Sequence, residues 1–285
     1  SLDNRINCLQ NEKELFPFVP FFFEQFLCKK FKFILDIDDA VFLNYQMSSS
    51  GVVRKVFGNK IFQLAKKGLA VNCGSHSLLL AFKQVNVPKY YIPSVLPVNQ
   101  IATQIHDRRT RIVGWIGSPS SFKNLRAYLD EILLFCSEYH YTLVVMGAGE
   151  SARGLGEIAG FINFLPWDET NEKKLLNEMD IGIMPLMDAP FEQAKCGYKI
   201  IQYFGAGAIP VVSPVGQNKI LVNDCSDGFF ANKGEWVDVL GKVARLQELE
   251  KDQIRLRGWE KAKSKYSVEV EADNLCYILN KFVRD

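Results

Sequence analysis

The 285-residue chain has little that would mark it for a specialised class. No apolar run approaches the ~20 residues that a membrane-spanning helix needs, and the mean hydropathy is -0.02. Charge of one sign is also scarce. Against 32 Asp and Glu stand 34 Lys and Arg, a net +2 at pH 7, so there is no electrostatic footprint for nucleic acid. Seven cysteines are scattered without a CxxC pair, which argues against a disulfide framework or a zinc site. Their odd number suits a reducing compartment, and a cytoplasmic location is expected. The three histidines, His76, His106 and His140, are isolated from one another. Structural roles are expected for them, and only His76, which follows a strand, is kept as a site candidate. Gly 20 and Pro 11 are ordinary, and no repeat or low-complexity tract occurs, so collagen-like and disordered classes are excluded.

What is present is alternation. Short apolar runs fall at Ile34-Leu35, Leu69–Asn72, Ile112–Ile116, Leu143–Met146, Ile181–Met184 and Ile209–Val212. With helical stretches between them, they predict α/β architecture with parallel sheets. Leu125, Tyr128, Leu129, Ile132 and Leu133 make one helical apolar face, and Trp236, Val237, Leu240 and Ala244 another. A last helix is predicted after Ser267, with Val268, Ala272, Leu275, Leu279 and Phe282 as its buried stripe. Pro88, Pro93 and Pro97 predict a domain boundary near Val87 to Asn99. Ligands of such sheets lie at the carboxyl ends of strands, so the loops there are where chemistry is sought.

Two loops stand out. Gly117-Ser118-Pro119-Ser120-Ser121-Phe122-Lys123-Asn124 follows a strand and opens a helix, whose N-terminus favours phosphate and whose Lys123 adds a charge. The alternative is a plain turn with a solvated lysine. Further on, Lys195-Cys196-Gly197-Tyr198-Lys199 leads into a helix expected to start near Gly197. Gly197 permits close backbone approach to a ligand.

The run from Lys199 to Val212 resembles the donor-site signature of the group 1, family 4-like, glycosyltransferases of polysaccharide-biosynthesis type. These are retaining GT-B enzymes that use nucleotide sugars. Asp36-Ile37-Asp38-Asp39-Ala40-Val41-Phe42, Ile92-Pro93, Gly117 to Asn124, Asp180 to Leu186 and Tyr266-Ser267 resemble further family segments, in family order. The resemblance implies two Rossmann-like parallel-sheet domains with a cleft between them. Residues 1–97 would be a partial acceptor-side N-domain, 98–265 the nucleotide-sugar-binding domain, and 266–285 a helix crossing back. The leading strand-helix units of the N-domain are expected to be missing.

The same resemblance implies an NDP-sugar donor, a saccharide or lipid-linked saccharide acceptor, and no metal or other cofactor. Lys123, Lys195 and Lys199 would neutralise the departing diphosphate. Gly117, Ser118, Phe164, Trp167, Cys196, Gly197, Tyr198 and Gln202 would bind the donor, with Phe164 or Trp167 stacking on the base. Asp38, Asp39 and His76 are cleft candidates on the N-domain. The chain departs from the family at three positions. Ala194 and Gln202 stand where two glutamates are usual, and Ser118 stands where an arginine is usual. Ala194, Gln202 and the expected short start favour a second reading, a degenerate protein that binds nucleotide sugars without transfer.

Three weaker signals remain. Gly147-Ala148-Gly149-Glu150-Ser151-Ala152 fits G-x-G-x-x-A and would make an NAD-dependent oxidoreductase, but glycines at 154, 156 and 160 make a poor following helix. Asp36-Ile37-Asp38-Asp39 has the look of a metal-binding DxD, and a strand end before a helix is the preferred reading. Phe16 to Phe23, followed by Lys29, Lys30 and Lys32, has the composition of a peripheral membrane contact, at the inner face of the membrane for a lipid-linked acceptor. The preferred reading there is a helix whose aromatics face the core, or a surface uncovered by missing units.

Overall fold

The computed structural model describes residues 9–103, 110–152 and 160–283, and His106 lies outside them. In chain order the strands are β1 (Leu9–Glu12), β2 (Phe33–Ile37), β3 (Ala70–Cys73), β4 (Lys89–Tyr91), β5 (Ile112–Ile116), β6 (Thr142–Met146), β7 (Ile162–Leu165), β8 (Ile181–Met184), β9 (Ile209–Val212) and β10 (Phe229–Phe230). The helices are α1 (Phe21–Cys28), α2 (Val41–Gln46), α3 (Gly51–Phe57), α4 (Lys60–Ala65), α5 (His76–Ala81), α6 (Phe122–Arg126), α7 (Leu129–Tyr139), α8 (Glu169–Glu178), α9 (Pro190–Gln193), α10 (Tyr198–Ala206), α11 (Asn218–Leu221), α12 (Trp236–Arg245), α13 (Glu248–Lys265) and α14 (Val268–Val283). They form two compact units. The first comprises the chain up to Ser94, Ala189–Cys196 and the chain from Glu269 on; the second comprises Val95–Asp188 and Gly197–Val268.

The first unit holds a parallel sheet in the order β1-β2-β3-β4. The pleat of β2 sorts its side chains. Phe33, Leu35 and Ile37 join Phe42, Leu64, Leu78 and Phe82 on one face, while Ile34 meets Ala70 and Ile278 of α14 on the other. Both faces are thus covered, as a parallel sheet requires. Rings of Phe42, Phe62 and Phe82 pack mutually at 4.8–5.9 Å between centroids. Ser75 caps α5 by accepting the Leu78 N–H at 3.2 Å. Ala194 and Cys196 complete this core.

A buried ion cluster clamps the segment before β2. Lys60 on α4 is fully buried and pairs with Glu14 at 2.7 Å and Glu24 of α1 at 2.9 Å. Glu24 also accepts the Phe16 N–H at 2.8 Å, and Tyr45 donates its hydroxyl to Glu14 at 2.7 Å. Burial, followed by that bond, pushes the Tyr45 hydroxyl up to about 12. The expectation that the aromatics around α1 face the core fails. Phe16, Phe18, Phe22, Phe23 and Phe26 are exposed, and the inward face of α1 carries Phe21, Glu24 and Cys28.

The second unit holds six parallel strands in the order β10-β9-β8-β5-β6-β7. Counted from β5, this is the doubly wound order 3-2-1-4-5-6, with its reversal between β5 and β8. Trp115, Phe122, Ile132, Phe135, Val145, Ile183, Trp236 and Leu240 fill one core face. Helix α10 is buried almost all round. Gly182 makes room for it, since any side chain there would strike the Tyr203 ring, whose hydroxyl donates to the Ile183 carbonyl at 3.1 Å.

Replacing Lys60 by Met leaves two buried carboxylates without their cation. A loss of about 3–5 kcal/mol is expected in denaturant unfolding. The exposed Lys173, paired with Glu169 on α8, serves as comparison: Lys173→Ala should cost at most ~0.5 kcal/mol.

Candidate functional site

The crossover between β5 and β8 is where a doubly wound sheet opens a crevice at its carboxyl edge. Three loops of the second unit meet at that edge. Gly117 after β5 donates its N–H to the Met146 carbonyl at 3.0 Å, and Gly147 after β6 donates to the Leu165 carbonyl at 3.0 Å. Gly147 adopts φ +81°, and a side chain on it would strike the Gly117 carbonyl and crowd the Trp167 Cβ at 3.4 Å. Trp167 itself is 58% exposed. Phe164 sits in β7 and turns its ring toward Phe122, at 6.5 Å, within the core. Of the two aromatics expected to meet a base, Trp167 is the more exposed.

The buried Trp115 ring organises the next layer. A side chain on Gly117 would collide with it, Phe122 packs edge-on against it at 6.0 Å, and Lys199 Nζ lies over its face at 4.8 Å. Lys199 belongs to the first turn of α10. That helix begins at Gly197 in left-handed conformation, φ +77°, where a side chain would strike Leu221. Lys123 is exposed on α6. The helix predicted after Gly117 begins as a 3-10 turn over Pro119–Ser121. Ser118 gives its N–H to Ser121 Oγ at 2.9 Å, so the Gly117 and Ser118 donors are already engaged within the chain.

Gln202 is buried on α10 and donates to Glu172 of α8 at 3.2 Å. Both line a cavity of about 520 Å³ with Glu169, Lys173, Asn99 and Gln100. Burial, and secondarily Glu172, pushes the Tyr198 hydroxyl up.

Sequence reasoning missed the residues that hold the β8 loop. Tyr128, read as an apolar face position, donates its hydroxyl to the Leu186 carbonyl at 2.8 Å. Leu186 N–H donates to Ser213 Oγ at 2.9 Å, and Met187 N–H to Asn124 Oδ1 at 3.1 Å. A tyrosine amid a leucine stripe, and a polar Asn124 in a buried turn, were the available signals.

The remaining candidates lie in the first unit. Asp38 pairs with Lys13 at 3.1 Å, and Asp36 accepts from Gln10 at 2.6 Å. Burial pushes the Asp39 carboxyl above its ordinary value, with Lys195 pulling it back. Lys195 Nζ lies 5.0 Å from the Phe191 ring. Cys196 points its thiol at the Asp38 carbonyl, and burial pushes that thiol up. Ala194, at a position where the family usually has glutamate, is packed in the core and accepts from Ser75 Oγ at 2.9 Å. His76 opens α5 and stacks on Tyr91 at 4.5 Å. The glycine loop at 147–152 follows the second strand of its sheet and closes as a 3-10 turn over Gly149–Ala152. A dinucleotide fingerprint belongs instead to the first βα turn and opens a helix.

The folded chain holds the Asp39 proton more tightly than the unfolded chain does, whose carboxyl has the ordinary value of 3.8. Between that value and the raised one, this group's contribution to stability falls as pH rises. Lys195→Met removes the opposing cation, so the Asp39 carboxyl should titrate higher still. Carbon-detected NMR of the Asp39 side chain reads this directly, and an unchanged or lowered value contradicts the pull of Lys195 on it.

Residues 110–248 match the family model described as glycosyl transferases group 1. No curated protein matches the chain. Among solved structures, Anabaena HepE with UDP and glucose superposes with a TM-score of 0.68 at 16% identity, over 89% of this chain and 73% of that one. Sucrose-phosphate synthase from Thermosynechococcus elongatus gives 0.70 at 12%, over 96% and 73%. A TarM mutant of S. aureus, in complex with Fondaparinux, alpha-GlcNAc-glycerol and UDP, gives 0.66 at 14%, over 89% of this chain. The chain spans about half the length of that protein, 51%. The 110–248 segment thus matches the group 1 glycosyl transferases, and the two parallel-sheet units flanked by helices have the GT-B fold.

Proposed function

We propose that the second unit binds a nucleoside-diphosphate sugar and that the protein transfers the sugar, with retention, to a saccharide or lipid-linked saccharide in surface polysaccharide synthesis. The observation that carries this reading is the meeting of an exposed Trp167, the Gly117–Gly147 contact and Lys199 at the carboxyl edge beside the sheet's crossover. HepE and TarM were solved with UDP, which makes UDP the expected nucleotide.

In this reading the base stacks on Trp167. The diphosphate lies toward the first turn of α10, where N–H groups without intrahelical partners and the dipole favour negative charge. Lys199 and Lys123 add cations to that region. As the glycosidic bond breaks, charge grows on the departing diphosphate, and fixed cations stabilise it more than they stabilise the intact donor. A phosphate oxygen then takes the acceptor proton on the face that the leaving group vacates, which gives retention without a covalent carboxylate. Gly197 shapes the entry to α10, and Tyr198, Ser118 and Gln202 complete the donor contacts.

A second reading, donor binding without transfer, is favoured by the packed Ala194 and by Gln202 being tied to Glu172.

Calorimetric titration with UDP, GDP, ADP and NAD tests the proposal. Saturable binding of UDP is expected. Lys123→Ala should weaken it by at least about 1 kcal/mol, and Trp167→Ala by about 1–3 kcal/mol. Binding of NAD alone would overturn the donor assignment, as would no binding at all. UDP-sugar binding with no transfer to any glycan acceptor would select the second reading.

A further inference from the structure

Helix α1 shows its apolar side to solvent and hides its charge. Glu24 is fully buried against Lys60, whereas Phe22, Phe23 and Phe26 are 60%, 61% and 54% exposed. Leu15, Phe16 and Phe18 in the preceding turn extend the patch. The rings pack on one another, Phe22 meeting Phe23 and Phe26 edge-on at 5.6 Å. The orientation is enforced. Turning the phenylalanines inward would carry Glu24 out and take from the fully buried Lys60 cation one of its two carboxylate partners, a costly loss in the interior. A contiguous exposed apolar patch of this kind marks an interaction surface.

Charge selects the partner. From Leu15 to Lys32 the only acidic residue is Glu24, and it faces inward. The cations of the same stretch, Lys29, Lys30 and Lys32, are exposed, and Lys29 Nζ lies 5.9 Å from the Phe26 ring. Phe57 of α3 joins the patch through Phe18, ring centroids 6.1 Å apart, and α3 brings Arg54 and Lys55 with no acid. Aromatic rings bordered by cations, with no outward carboxylate, match the interface of an anionic bilayer. Rings enter the acyl boundary there, and ammonium groups stay with the lipid phosphates.

We propose that this face of the first unit docks the protein on an anionic lipid surface. The proposal is independent of the donor reading, since none of the residues it rests on is assigned to the donor.

Vesicle flotation tests it with phosphatidylcholine vesicles, alone or with about one third phosphatidylglycerol. Binding is expected to the mixed vesicles only, and to weaken in about 0.5 M salt. Changing Lys29, Lys30 and Lys32 together to Gln should lower the partition coefficient by about a hundred-fold, some five-fold per lysine. The Phe22→Ser, Phe23→Ser, Phe26→Ser triple variant should lower it by at least about ten-fold. Both variants change exposed positions, and an unaltered thermal midpoint confirms their folding. Absence of binding to mixed vesicles overturns the proposal, as does binding indifferent to both variants. Self-association in sedimentation, abolished by the phenylalanine variant, would assign the patch to a second copy and equally overturn it.

Discussion

The carboxyl edge of the six-stranded sheet depends on where one indole ring lies. Trp115 leaves β5 pointing into the core, and its ring fills the space that a side chain at Gly117 would need. The β5 loop therefore runs as bare backbone over the ring, close enough for Gly147 to abut its carbonyl. The same ring offers its face to Lys199 and so fixes where the first turn of α10 can place a cation. Tyr203, wedged against Gly182, holds the rest of α10 to β8. The loops thus rest on rings that leave them little freedom. Such a base suits a site that must present fixed charge to a reacting group.

The first unit shows a different balance. Its core is apolar and aromatic, but its outer layer is set by the Lys60 cluster. A buried ion cluster is a weak source of stability compared with apolar packing of similar volume, and a strong determinant of geometry. Here it dictates which side of α1 meets water. Helix α1 is thus an amphipathic helix whose sense is decided by one lysine on a neighbouring helix, with a sequence separation of 36 between Lys60 and Glu24.

Much of this was legible in the sequence. β5, β8 and β9 lie where the short apolar runs placed them, because central parallel strands are buried on both faces and read as unbroken apolar runs. Two edge strands, β4 and β7, did not read. β4 is three residues set among Pro88 and Pro93, tolerable at a sheet edge, and the prolines alone suggested a break. β7 interleaves an exposed Asn163, and no unbroken apolar run marks it. At the carboxyl edge, Gly117, Gly197 and Lys199 stood out because glycines and a lysine bracket strand and helix ends. The Asn124, Tyr128 and Ser213 pins join the β8 loop to residues up to 63 positions away, a pairing that no local pattern encodes. The orientation of α1 was hidden for the same reason: periodicity reports a face, and a distant partner decides where that face looks.

The units are not cut from the chain as single blocks. Ala194 and Cys196, eight residues or fewer from the second unit's Asp188, are core residues of the first, and so is Ile278 near the C-terminus. A fragment starting at Val95 would carry the six-stranded sheet together with apolar side chains whose proper neighbours it had left behind. The two halves of this fold are modules in space without being modules in sequence, so recombination or gene fusion that swaps the first half must carry three stretches of chain at once, and the second half two.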